Sequence, residues 1–116
     1  MGIHVIKDKI SRETLRKIAD ERFGDLVKAA IDIRQEILAL GSEMHIDAET
    51  ELIEKEASQH ADVWGINLYP AKTGEDFLEF DSMINLKPAF GNRTRGVDDE
   101  KIRERIKEII GRLVMD

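Results

Sequence analysis

Residues 26 to 33, Leu-Val-Lys-Ala-Ala-Ile-Asp-Ile, alternate so that Val27, Ala29, Ile31 and Ile33 fall on one side, and Lys28, Ala30, Asp32 and Arg34 on the other. A period of two is the period of a β-strand, and it commits one side of the segment to a core. Arg34, Gln35 and Glu36 then interrupt the pattern before Ile37 to Met44 resumes it, which predicts a hairpin. A continuous helix is the rival reading, because Arg, Gln, Glu, Leu and Ala are all good helix formers.

The same alternation returns twice. Trp64, Ile66 and Leu68 oppose Gly65, Asn67 and Tyr69 until Pro70 ends the run. After the loop Ala71 to Asp76, one face carries Leu78, Phe80, Ser82, Ile84 and Leu86, and the other Phe77, Glu79, Asp81, Met83, Asn85 and Lys87. These two runs predict a second hairpin. The opening Ile3 to Lys7 suits a first strand.

Between the alternating runs the apolar spacing becomes helical. Ser11 offers an N-cap to a helix with Leu15, Ile18, Ala19 and Phe23 on one face, which Gly24 stops. Asp47 is expected to cap a second helix, with Glu49 and Glu51 favoured by its dipole and Leu52, Ile53, Ala57 and His60 as its stripe. Ile102, Ile106, Ile109, Ile110 and Leu113 form the stripe of a third. The order β-α-β-β-α-β-β-α predicts an α+β, two-layer domain over residues 1–116, a mostly antiparallel sheet of about five strands with its three helices on one face.

Composition removes several classes of function. The chain has no cysteine, which excludes disulfides, thiolate metal sites and a cysteine nucleophile. No run approaches the roughly 18 apolar residues of a membrane helix, and the charged start does not read as a signal peptide, so the expected location is cytoplasmic, with no membrane partner. The net charge of −6 is uneven. Residues 43 to 62 hold seven acids and one lysine, whereas residues 87 to 116 hold eight bases and six acids. This balance argues against a nucleic-acid partner, which needs many uncompensated cations.

Three stretches, Gly41 to Glu49, Ala61 to Pro70 and Glu79 to Val97, resemble an uncharacterised prokaryotic family, a domain of unknown function. Its members carry a similar W-G-x-N-x-Y-P strand and a similar I-N-x-[KR]-P-x-x-G-N-R loop. The likeness covers about residues 26 to 113 and implies no catalytic residue, substrate or cofactor.

Three clusters are candidates for function. On the polar sheet face, Asn67, Tyr69, Glu79, Asp81 and Asn85 are expected to point one way, a hydrogen-bonding surface for a polar ligand or simply a solvated face. His45, Asp47 and Glu49, with Asp81 or His60, hold metal-ligand chemistry, although helix capping explains the same residues. In Phe90 to Glu100, Asn92, Arg93 and Arg95 between Gly91 and Gly96 read as an anion nest, or as a connector whose Arg93 pins Glu79 or Asp81. The favoured reading is a small non-catalytic binding or interaction module that uses the polar sheet face and the arginine loop to hold a partner protein, a second copy of itself or a polar small molecule, and needs no cofactor. The alternatives are a metal-assisted phosphoester hydrolase using His45, Asp47, Glu49 and Asp81, and an RNA-binding protein using Lys87, Arg93, Arg95 and the basic residues of the last helix.

Overall fold

A computed structural model describes residues 2–116. Five strands form one antiparallel sheet, ordered β1 (His4–Ile6), β4 (Ile37–Leu40), β3 (Val27–Asp32), β5 (Val63–Leu68) and β6 (Leu78–Glu79). A parallel pair, β2 (Ile10–Ser11) and β7 (Val114–Met115), stands apart from it. The helices are α1 (Arg12–Asp20), α2 (His45–Glu56) and α3 (Glu100–Leu113). The α+β class and the first hairpin are as the alternation predicts. None of the helices among the described residues is long and apolar enough to cross a membrane.

The local signals act as expected in α1. The Ser11 side chain accepts from the Thr14 amide, and Gly24, with φ +87°, closes the end by donating to Ala19 O at 2.7 Å. The hairpin turn between β3 and β4 rests on Asp32, which is fully buried. Its carboxylate accepts from the Arg34 and Gln35 amides, the Gln35 side chain and Ser58 Oγ at 2.6–3.1 Å. Burial alone would raise its pKa, but these hydrogen bonds outweigh it and hold the carboxyl below its usual range.

Helices cover both faces of the sheet, not one. Val27, Ala29 and Ile31 of β3, Leu38 and Leu40 of β4, and Trp64, Ile66 and Leu68 of β5 form the large core with Leu15 and Ile18 of α1 and Ile106, Ile109 and Leu113 of α3. On the opposite face Ala30, Ile37, Ala39 and Val63 meet Ala48 and Leu52 of α2. The reason lies in the strand residues that face α2. Ala30 faces Ala39 across one ladder and Gly65 across the other, a shallow strip that lets a helix approach closely. An alanine on the outward side therefore signals a third layer.

The second hairpin departs from expectation. Only Leu78 and Glu79 pair with β5, opposite Leu68 and Asn67. The chain then crosses the α2 face of β5 and turns through a single 3-10 turn at Met83–Asn85. Gly65 makes the crossing possible, since a Cβ there would lie 2.4 Å from Ser82 Cβ. The open edge of β5 is satisfied by side chains instead of a strand. Asn85 accepts from Gly65 N at 2.8 Å and donates to Gly65 O at 3.0 Å. Two residues on, Lys87 Nζ donates to Val63 O and to His60 O. Lys87 is only 2% exposed and its ammonium sits 4.1 Å from the Trp64 ring centroid. Burial drives its pKa down to about 8, opposed by the charges of the Glu49 and Asp62 carboxylates.

Candidate functional site

Between the start of α2 and the crossing segment lies a cleft of about 170 Å³, lined by Lys28, Met44, His45, Ile46, Ser82, Met83, Ile84 and Arg95. Its position follows from where α2 begins. Asp47 does not cap this helix. The N-cap is Met44, without a side-chain cap bond, so His45 is the first helical residue and Asp47 lies in the first turn.

From that position His45 reaches the sheet. Its Nε2 lies 3.0 Å from Ile66 O and 2.9 Å from Asn67 Oδ1. The Asn67 amide is oriented independently, because its Nδ2 donates to Glu79 Oε1 at 2.9 Å and to Asp81 O at 3.4 Å. Both partners of Nε2 are therefore acceptors, so Nε2 carries the proton and Nδ1 is the basic nitrogen of the neutral ring. Burial, together with the Lys28 charge, holds the imidazole pKa below its usual value, although Ile66 O, Asn67 and Asp81 favour the cation. Glu79 Oε1 also accepts from Tyr69 OH at 2.9 Å, and burial and this carboxylate push the phenol up to about 12.

Thus Asn67, Tyr69 and Glu79 do form a polar network, with His45 as a member that the alternation of the sheet residues did not include. Asn85 is not on it. It is fully buried, spent on Gly65 and on Arg95 O at 2.8 Å. Asp81 belongs to the rim, paired with Arg95 Nε at 2.9 Å. The residue that pins an acid of the preceding segment is therefore Arg95 and not Arg93.

The glycine-flanked loop is organised around Asn92, which is buried. Its Nδ2 donates to Asn85 O, Thr94 O and Gly96 O at 2.7–3.1 Å, and its Oδ1 accepts from the Asp98 amide at 2.7 Å. The anion nest of this loop exists, and its anion is internal. The Asp98 carboxylate accepts from the Arg93 amide at 2.8 Å and from Thr94 Oγ1 at 2.5 Å, and these bonds hold its pKa below the usual range. Asn92 is spoken for, and the exposed Arg93 side chain forms no ion pair among the described residues.

The residues of the metal alternative are drawn apart. His45 goes to Asn67, Asp81 to Arg95, and Glu49, buried, to His60 Nδ1 at 2.6 Å. Among the described residues no three His, Asp or Glu side chains converge as a metal shell. The basic tail is also engaged internally. Arg105 and Arg112 both grip Glu36, and Arg103 donates to Val97 O and Asp98 O.

Of the two cations that line the cleft, Arg95 is paired with Asp81, whereas Lys28 forms no ion pair among the described residues. Lys28 is half-buried and lies 5.1 Å from the Phe23 ring centroid. Beside it, Met44 and Met83 are 55% and 62% exposed, and Ile46 is exposed too. A small cleft with soft apolar walls and an unpaired cation among its lining residues can take an apolar group that carries a negative charge. The signal that could have located it is the even side of β3, where Lys28 stands beside Ala30.

A family model described as a protein of unknown function, DUF5674, matches residues 4–113. Searches of curated proteins and of solved structures returned no match.

Proposed function

The chain belongs to the DUF5674 family of proteins of unknown function, and from that premise we propose that it is a small non-catalytic binding module whose cleft seats an apolar side chain next to a carboxylate, presented by a partner protein. The observation that carries the reading is Lys28, an unpaired cation in a cleft walled by exposed Met44, Ile46 and Met83. The size of the cleft supports a single side chain, since about 170 Å³ falls below the roughly 300–1,000 Å³ of small-molecule pockets. Methionine walls repack around varied apolar shapes, as binding surfaces of broad tolerance do. The His45–Asn67–Glu79–Tyr69 network holds the floor in place. Among the described residues no serine, threonine or tyrosine hydroxyl hydrogen-bonds to His45, the pairing that nucleophilic catalysis requires.

The test uses three capped dipeptides, leucine followed by glutamate, glutamine or lysine, titrated against protein labelled at the methionine methyls. The glutamate peptide is expected to shift the Met44 and Met83 signals saturably, the glutamine peptide at least tenfold more weakly, and the lysine peptide not at all. Lys28→Glu is expected to abolish the preference for glutamate. Equal response to all three peptides, or none to the glutamate peptide, contradicts the reading.

A further inference from the structure

On the opposite side of the molecule a cavity of about 550 Å³ opens between α3 and the segment leading into β6. It is within the usual range for small-molecule sites. Phe77, Leu78 and Phe80 form one wall, and Ile110 and Val114 the other. The ends are polar: Arg12 and Lys107 against the single acid Glu75.

Gly111 separates this cavity from an ordinary packing defect. It lies inside α3, where glycine weakens a helix relative to alanine. A glycine in such a place is usually explained by close packing. Here a Cβ at position 111 would meet nothing within 4 Å, and its φ is not positive. No protein atom needs the space, and Gly111 lines the cavity.

The cations are placed for an anion at the mouth. The Arg12 guanidinium lies 4.3 Å from the Phe77 ring centroid, held there by Nη1 donating to Pro70 O and Lys72 O at 3.2 and 3.0 Å. Its acidic partner is the Asp116 side chain, one oxygen at 3.0 Å and 92% exposed. A single exposed pair of this kind is weak and exchangeable, whereas a carboxylate rising from an apolar cavity would meet the same guanidinium partly desolvated. Among the described residues Lys107 forms one ion pair, with Glu104 at 3.8 Å on the same helix.

We infer that this cavity is a second binding site, independent of the cleft at His45, for a small apolar carboxylate: its hydrocarbon body lies along Gly111 between the phenylalanine wall and Ile110, and its carboxylate takes the place of Asp116 on Arg12.

The experiment titrates the full chain with octanoate, 2-naphthoate and octylamine, following the amide signals of Gly111 and Phe77. At least one carboxylate is expected to bind saturably, ten times or more tightly than the amine, and which one binds tells a linear chain from a flat ring. Gly111→Leu fills the cavity on an exposed helical position and is expected to fold as well as the parent while losing at least tenfold in carboxylate affinity. Lys107→Glu, on the surface and away from the core, is expected to weaken the carboxylate several-fold without changing the melting temperature. Binding of neither carboxylate, equal binding of octylamine, or unchanged affinity in Gly111→Leu overturns the inference.

Discussion

Asn85→Ala is expected to cost about 4 kcal/mol of folding stability, read as a shift in the urea midpoint at constant slope. The side chain is fully buried and makes three bonds: it accepts from Gly65 N and donates to Gly65 O and Arg95 O. Neither Gly65 group has a strand neighbour on that edge, because β6 pairs with β5 only at Asn67 and Leu68. Alanine leaves these groups buried without partners, and each such group costs roughly 1–3 kcal/mol. Asn85→Asp should be nearly as harmful, since it retains the acceptor for Gly65 N but replaces both donors with a buried charge. A loss below about 1 kcal/mol would mean that water or a backbone shift replaces the amide.

Gly65→Ala is the second large effect. The added Cβ would lie 2.4 Å from Ser82 Cβ, 2.5 Å from Ser82 Oγ and 3.0 Å from Ile84 Cγ1. The strand cannot retreat, because Gly65 is paired with Ala30 in the middle of the β3–β5 ladder. The crossing segment must yield instead, and overpacking of this severity costs about 3 kcal/mol. Ser82, Met83 and Ile84 form one wall of the cleft. The same substitution should therefore abolish the response of Met83 to the glutamate dipeptide even where the protein stays folded. Full stability together with full binding would refute the crossing geometry.

Much of the framework was legible because it rests on short-range rules. The alternation of Val27 to Asp32 and of Trp64 to Leu68 is the pleat itself, and Ser11 and Gly24 act through bonds inside their own helix. The misreadings came where side chains stand in for backbone. The alternation of Leu78 to Leu86 holds as a strand only at Leu78 and Glu79; the 3-10 turn at Met83–Asn85 then breaks the period, and only the fold brings Asn85 and Lys87 to the bare edge of β5. Asp47 looks like a cap, but the helix begins two residues earlier, which is what brings His45 to Asn67. In the sequence Arg93 reads as the arginine that pins an acid, and the fold gives that role to Arg95. The turn that separates them is set by four bonds from the Asn92 side chain, and these aim Arg95 at Asp81.

The most direct test of the cleft as an acid-binding seat is the titration of His45 by ring-proton NMR, free and with the leucine–glutamate dipeptide. Free His45 is expected to titrate below 6.5, because burial and Lys28 disfavour its cation. The unfolded chain then binds the proton more readily than the native one, so stability contributed by the neutral ring is present above pH 6.5 and declines as pH falls through that value toward the native pKa. A bound carboxylate beside Lys28 offsets that charge, so the dipeptide should raise the His45 pKa measurably, and in Lys28→Met it should rise without any ligand. A His45 pKa that stays the same in the presence of saturating dipeptide and in Lys28→Met would contradict the account.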